Sequence, residues 1–155
     1  MKKNSVIIIG LVLLLLSCGN KVASDADVIK TIDSYRSKVD NDQSLTKKTT
    51  EGALTDEEGY EDIGRFEYSV FFNQNPRALY KITNKEITDQ TISESYYFQD
   101  HNLVFIEKTK SGSTPQKMYT KGDKNVLSSS QINDDDIEVL LKKARRFKNA
   151  FYRSE

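Results

Sequence analysis

The chain has one cysteine, one histidine, no tryptophan and two prolines in 155 residues. A single cysteine excludes an internal disulfide, and with a single histidine it excludes zinc sites built from those ligands. An excess of either charge is also missing, since 23 lysines and arginines face 23 aspartates and glutamates. A nucleic-acid-binding domain carries a basic excess, so nucleic acid is not expected as a partner. There is no G-x-S-x-G elbow, P-loop, dinucleotide fingerprint or H-E-x-x-H, and no cofactor or metal is expected. The length suits one domain with an anchor or tail.

Long apolar runs are scarce too, with one exception at the start. Eleven of the first 17 residues are apolar, against 45 of the 137 that follow Cys18. Lys2 and Lys3 precede a run from Val6 to Leu16 broken only by Gly10. As a helix that run is roughly 17 Å long, too short for a hydrocarbon core of about 30 Å. A basic start, a short apolar core and a small residue at its end read as a secretion signal.

The run closes on Leu15-Leu16-Ser17-Cys18, which resembles the lipobox of bacterial lipoproteins. The resemblance implies a signal peptide over 1–17 and a mature chain beginning at Cys18. Its thiol would carry a diacylglycerol thioether and its amine an acyl chain such as palmitate. Each buried methylene adds about 0.8 kcal/mol, so two or three chains hold a protein on a membrane stably. Gly19 after the cysteine favours the outer membrane by similarity to enterobacterial sorting. Residues 18–24 then form a lipidated tether and 25–155 a single domain of the cell envelope. Without the signal the charge is 21 basic against 23 acidic residues.

Within the domain, Ser24 with Asp27 three residues on forms an approximate capping box. Val28, Ile32, Tyr35 and Val39 follow at helical spacing, which predicts a helix over 25–41. From Leu45 to Leu127 the period changes to two. Strands are expected around 65–72, 78–82, 93–98 and 103–108, with shorter ones near Met118 and Val126 and a weaker edge strand at 45–50. Residues 51–67 carry seven acids and one base with three glycines, which reads as a mobile acidic loop. Asn133 is an N-cap with Asp134, Asp135 and Asp136 in the first turn. The stripe Ile137, Leu140, Leu141, Ala144, Phe147 and Phe151 then predicts a second helix packed on one sheet face. The fold class is α+β: a helix, an antiparallel meander of five or six strands, and a C-terminal helix.

Chemistry-bearing residues are few. His101, the one imidazole, falls in an expected hairpin turn beside Asp100, which reads as structural. A carboxylate pair of hydrolytic type would have to come from acids that no spacing locates. Phe71 and Tyr97 are expected on the sheet face away from the helices. There they would either stack across strands or offer an aromatic contact surface to an envelope protein or glycan. Ser111-Gly112 and Tyr119-Thr120-Lys121-Gly122-Asp123 resemble the paired S-G and S-K-G-D segments of membrane-bound C-type lysozyme inhibitors. That resemblance implies Ser111 and Lys121 inserted together into a lysozyme cleft, although Thr120 stands where that family has Ser and the family is an all-β barrel. The expected function is a non-catalytic binding or accessory module. The alternatives are an inhibitor or immunity protein and, third, an envelope hydrolase.

Overall fold

Ser24 starts the first helix as the sequence leads one to expect. Its hydroxyl oxygen accepts from the Asp27 amide at 3.2 Å, and the Asp27 carboxylate accepts from the Ser24 amide at 3.3 Å. The computed structural model describes residues 23–56, 58–122 and 125–154, so the signal segment and Cys18 lie outside the described residues. The elements run α1 (Asp25–Asn41), β1 (Thr46–Thr55), β2 (Asp62–Gln74), β3 (Arg77–Ile87), β4 (Thr91–Gln99), β5 (Asn102–Lys110), β6 (Gln116–Lys121), β7 (Asn125–Ser130) and α2 (Asp134–Arg153). At α2 the Asp136 amide donates to the Asn133 side chain at 2.8 Å, which satisfies one of the orphan N–H groups of the first turn.

The strands form one antiparallel sheet in sequence order, β1 to β7, so every connection is a local hairpin. Seven strands replace the five or six expected. The segment 51–67, expected as a mobile loop, is mostly the two arms of the β1–β2 hairpin. Charge misled there, because an exposed strand tolerates acids on its outer positions. Gly52 lies opposite Phe66, whose ring occupies the space a Cβ would need, 2.5 Å away. An aromatic side chain thus covers the gap that a strand glycine leaves.

The two helices cover opposite faces. Tyr96 and Phe98 pack with Leu140, Ala144 and Phe151 of α2, whereas Tyr97, between them on the same strand, packs with Ile32 and Val39 of α1. Successive strand side chains alternate in direction, so the two clusters lie on either side of the sheet. Placing both helices on one face, with an aromatic surface exposed opposite, is therefore corrected. Tyr97 is 2% exposed.

Three bulges account for the α1 face. The register skips Tyr80 on β3, Val104 on β5 and Leu127 on β7, and all three pack against the α1 core. A bulge opposes two residues to one and bends the strand. In the run Leu103-Val104-Phe105-Ile106, Leu103 and Ile106 therefore face α2, while Val104 and Phe105 face α1. Helix α1 lies across the strands at this end. Asp33 meets Tyr119 of β6, Arg36 sits 3.6 Å from the Phe105 ring of β5, and Asp40 meets Lys81 of β3.

On the other face α2 lays down rings. Phe147 contacts Tyr68 and Tyr96 at 5.2 and 5.4 Å, and Phe151 contacts Phe72 at 5.4 Å. Burying each large apolar side chain contributes about 1.5–3 kcal/mol, so these rings offset the lean apolar content.

Candidate functional site

A seven-stranded sheet is roughly 30 Å across, and a helix with its side chains covers only about 10–12 Å of that width. The C-terminal end of α2 packs on β2 and β3, through Phe151 on Phe72 and Tyr152 at Leu79. This leaves a groove of about 490 Å³ between β1, β2 and the last turn of α2. Tyr68, Val70, Phe72 and Phe151 supply its apolar floor and wall, and Lys48 and Arg77 bring positive charge to it. Among the described residues, none that lines it is acidic.

Arg77 has two tasks at the groove. Its Nη2 donates to the carbonyls of Phe151 and Ser154 at 2.6 and 2.7 Å, which caps the negative end of α2. Its guanidinium carbon also lies 4.6 Å from the centre of the Phe151 ring. These capping bonds come from one terminal nitrogen, and a guanidinium carries five N–H donors. Lys48 sits on the exposed edge strand, opposite Val70 in register.

A second depression of about 660 Å³ lies near the N-terminus of α1, lined among others by Asp27, Val28, Asp100, Asn102 and Lys121. Val28, Ile32 and Val104 give it an apolar side, but it mixes two acids with one lysine, whereas the groove beside α2 carries two cations.

Asp33 and Glu107 share Arg36 beside α1 at 3.1 and 3.6 Å, and a more buried pair of acids lies beneath α2. Glu94 is 3% exposed and receives Lys143 Nζ at 2.9 Å, the Tyr96 hydroxyl at 2.8 Å and the Asn84 amide at 3.5 Å. Lys143 also reaches Glu86 at 3.8 Å. Burial, followed by the neighbouring Glu94 charge, holds the Tyr96 phenol well above its ordinary range. The arrangement is an ion-paired strap between helix and sheet, and neither carboxylate lines the groove.

The residues singled out in the sequence are scattered. Tyr97 lies under α1, and its hydroxyl donates to both carboxylate oxygens of Asp40 at 2.9 and 3.1 Å. It cannot meet a partner, which corrects the expectation of an exposed aromatic contact. Phe71 is half-buried on the same face between Lys47 and Lys81, whose ammonium groups lie 5.7 and 5.5 Å from its ring centre. Ser111 lies in the β5–β6 connection, where its amide and hydroxyl donate to the Thr91 carbonyl at 2.9 and 3.3 Å. Lys121 ends β6 at the other end of the sheet. Six strand residues separate the two ends by roughly 17 Å. The shared projection that the lysozyme-inhibitor resemblance implies is absent, and the open sheet differs from that family's barrel.

His101 occupies the β4–β5 turn with Asp100, both at positive φ, 65° and 49°. Two such residues make the turn that fits the twist of a hairpin. The imidazole packs 5.3 Å from the Tyr152 ring, and its own carbonyl accepts from Lys148 at 3.1 Å. Both contacts tie the turn to α2.

Sequence reasoning missed the groove. The stripe Tyr68, Val70, Phe72 falls in the strand expected around 65–72, and the one available signal for a groove is Lys47-Lys48 on a strand next to that stripe. Compared with known protein families, curated proteins and solved structures, the chain matches none.

Proposed function

We propose that the protein is a lipid-anchored module of the bacterial cell envelope that binds rather than catalyses, with the groove beside β1 and α2 as its binding site. The groove's composition carries the reading: an apolar floor with a few charged and polar groups is the usual make-up of a small-ligand site. Its size falls in the range that holds such ligands. The lipobox-like Leu15-Leu16-Ser17-Cys18 supplies the anchor in this reading, and the outer membrane is the favoured address. Anchoring keeps the groove near the bilayer, where modest affinity suffices because the effective concentration is high. The buried Glu94, with Glu86 beside it, is held in an ion pair to Lys143, which supports binding over hydrolysis.

Both cores are built from residues between Val28 and Tyr152, so a chain starting at residue 18 with Cys18→Ser keeps the whole domain. Titration of that chain with the neutral apolar fluorophore N-phenyl-1-naphthylamine tests the reading. Saturable binding is expected, and Ala150→Phe should abolish it by filling the groove from an exposed helix position. Binding unaffected by Ala150→Phe would contradict it. Separately, mass spectrometry of membrane-extracted protein should find Cys18 acylated.

A further inference from the structure

We infer that the groove takes a single-chain amphiphile with an anionic head, specifically a long-chain carboxylate. The inference rests on reading the groove as a binding site and names its ligand class.

Shape argues for a chain. The lining follows β2 from Tyr68 to Gln74, a run of six residue steps, or roughly 20 Å of strand. Tyr68, Val70 and Phe72 project along it from alternate positions, and Phe151 closes the side facing α2. An alkyl chain needs no hydrogen-bond partners, and a floor of side chains meets it along its length. A volume of about 490 Å³ suits one slender chain.

Charge argues for the head. Lys48 and Arg77 line the groove, and no acid among the described residues does. The helix C-terminus would by itself repel an anion, because its last carbonyls carry partial negative charge. Arg77 removes that objection by capping the Phe151 and Ser154 carbonyls through Nη2, with the rest of its N–H donors left for a ligand. Lys48, on an exposed strand position with an ammonium that can swing over the rim, adds a second cation. A carboxylate placed there makes charge-assisted hydrogen bonds, the stronger kind.

Displacement of N-phenyl-1-naphthylamine from the residue 18–155 chain carrying Cys18→Ser provides the test, with three ten-carbon competitors. Decanoate should displace the probe at about a tenfold lower concentration than decanol, the ratio one charge-assisted hydrogen bond supplies. Decylamine should be the weakest of the three. Lys48→Gln should cut the preference for acid over alcohol severalfold. Raising the salt concentration should cut it as well. Arg77→Lys is the second variant, because it keeps a cation at the rim while weakening the cap. Equal displacement by acid and alcohol would overturn the inference yet leave the groove a binding site. Failure of the neutral probe to bind at all would overturn the binding reading itself.

Discussion

Lys143 of α2 reaches Glu94 of β4 at 2.9 Å, and Glu94 is almost completely buried. The pair pins the middle of the helix to the middle of the sheet. Breaking such a pair from one side strands a charge without water, which costs more than the pair contributes. Lys143→Met should therefore lower the unfolding free energy by about 3 kcal/mol, near the bottom of the buried-pair range because the lysine side chain is 28% exposed. Adding Glu94→Gln should restore part of the loss. Urea denaturation of the single and double variants measures both, and a double variant no more stable than Lys143→Met would contradict the pairing.

Alkaline pH should unfold the domain earlier than its charge balance suggests. Burial pushes the Tyr68 phenol up to about 12, and pushes Tyr35 and Tyr96 higher still. Burial pulls the Lys81 ammonium down, but its hydrogen bonds to Asp40 and Tyr97 outweigh that and leave it above its ordinary value. In all four the folded state holds its proton more tightly than the unfolded chain. Their contribution is complete below the unfolded values of 10.0 for tyrosine and 10.5 for lysine, and is lost as pH rises through the folded ones. The urea midpoint should stay level up to the unfolded tyrosine value and fall above it. Tyr96→Phe should make that fall shallower.

Two strand glycines should respond differently to alanine. A Cβ at Gly64 would lie 2.2 Å from the Ile87 carbonyl oxygen, a backbone atom on the paired strand. At Gly52 the obstacle is the Phe66 ring, which can rotate away. Gly64→Ala should cost about 2 kcal/mol or more, and Gly52→Ala less. Thermal melts of the two variants give the order, and the reverse order would contradict the register of β1, β2 and β3.

These same residues show what the sequence could and could not reveal. Both helices were legible because capping and a stripe at helical spacing act within a few residues. Ser24 with Asp27, and Asn133 with Asp136, are local pairs that the fold preserves. The strand centres were legible from alternation. The division of Leu103-Val104-Phe105-Ile106 between two faces was not, because a bulge depends on what the neighbouring strand does. Nor was the placement of α1 under Tyr97, which rests on Asp40 and Lys81, 41 residues apart in sequence. Ser111 and Lys121 were grouped by local likeness, and the strand between them sends them to opposite ends. The groove was the least legible feature, since it arises from the width of the sheet exceeding the reach of α2 rather than from any motif.

The central claim is that this groove is where the protein binds. Its most direct test is an amide chemical-shift map of the residue 18–155 chain with Cys18→Ser, titrated with decanoate. Saturable shifts should cluster on Lys48 and Thr50, on β2 from Tyr68 to Gln74, on Arg77, and on α2 from Ala150 to Ser154. Shifts centred instead on Val28, Asn102 and Lys121 at the second depression, or no saturable shifts at all, would contradict it.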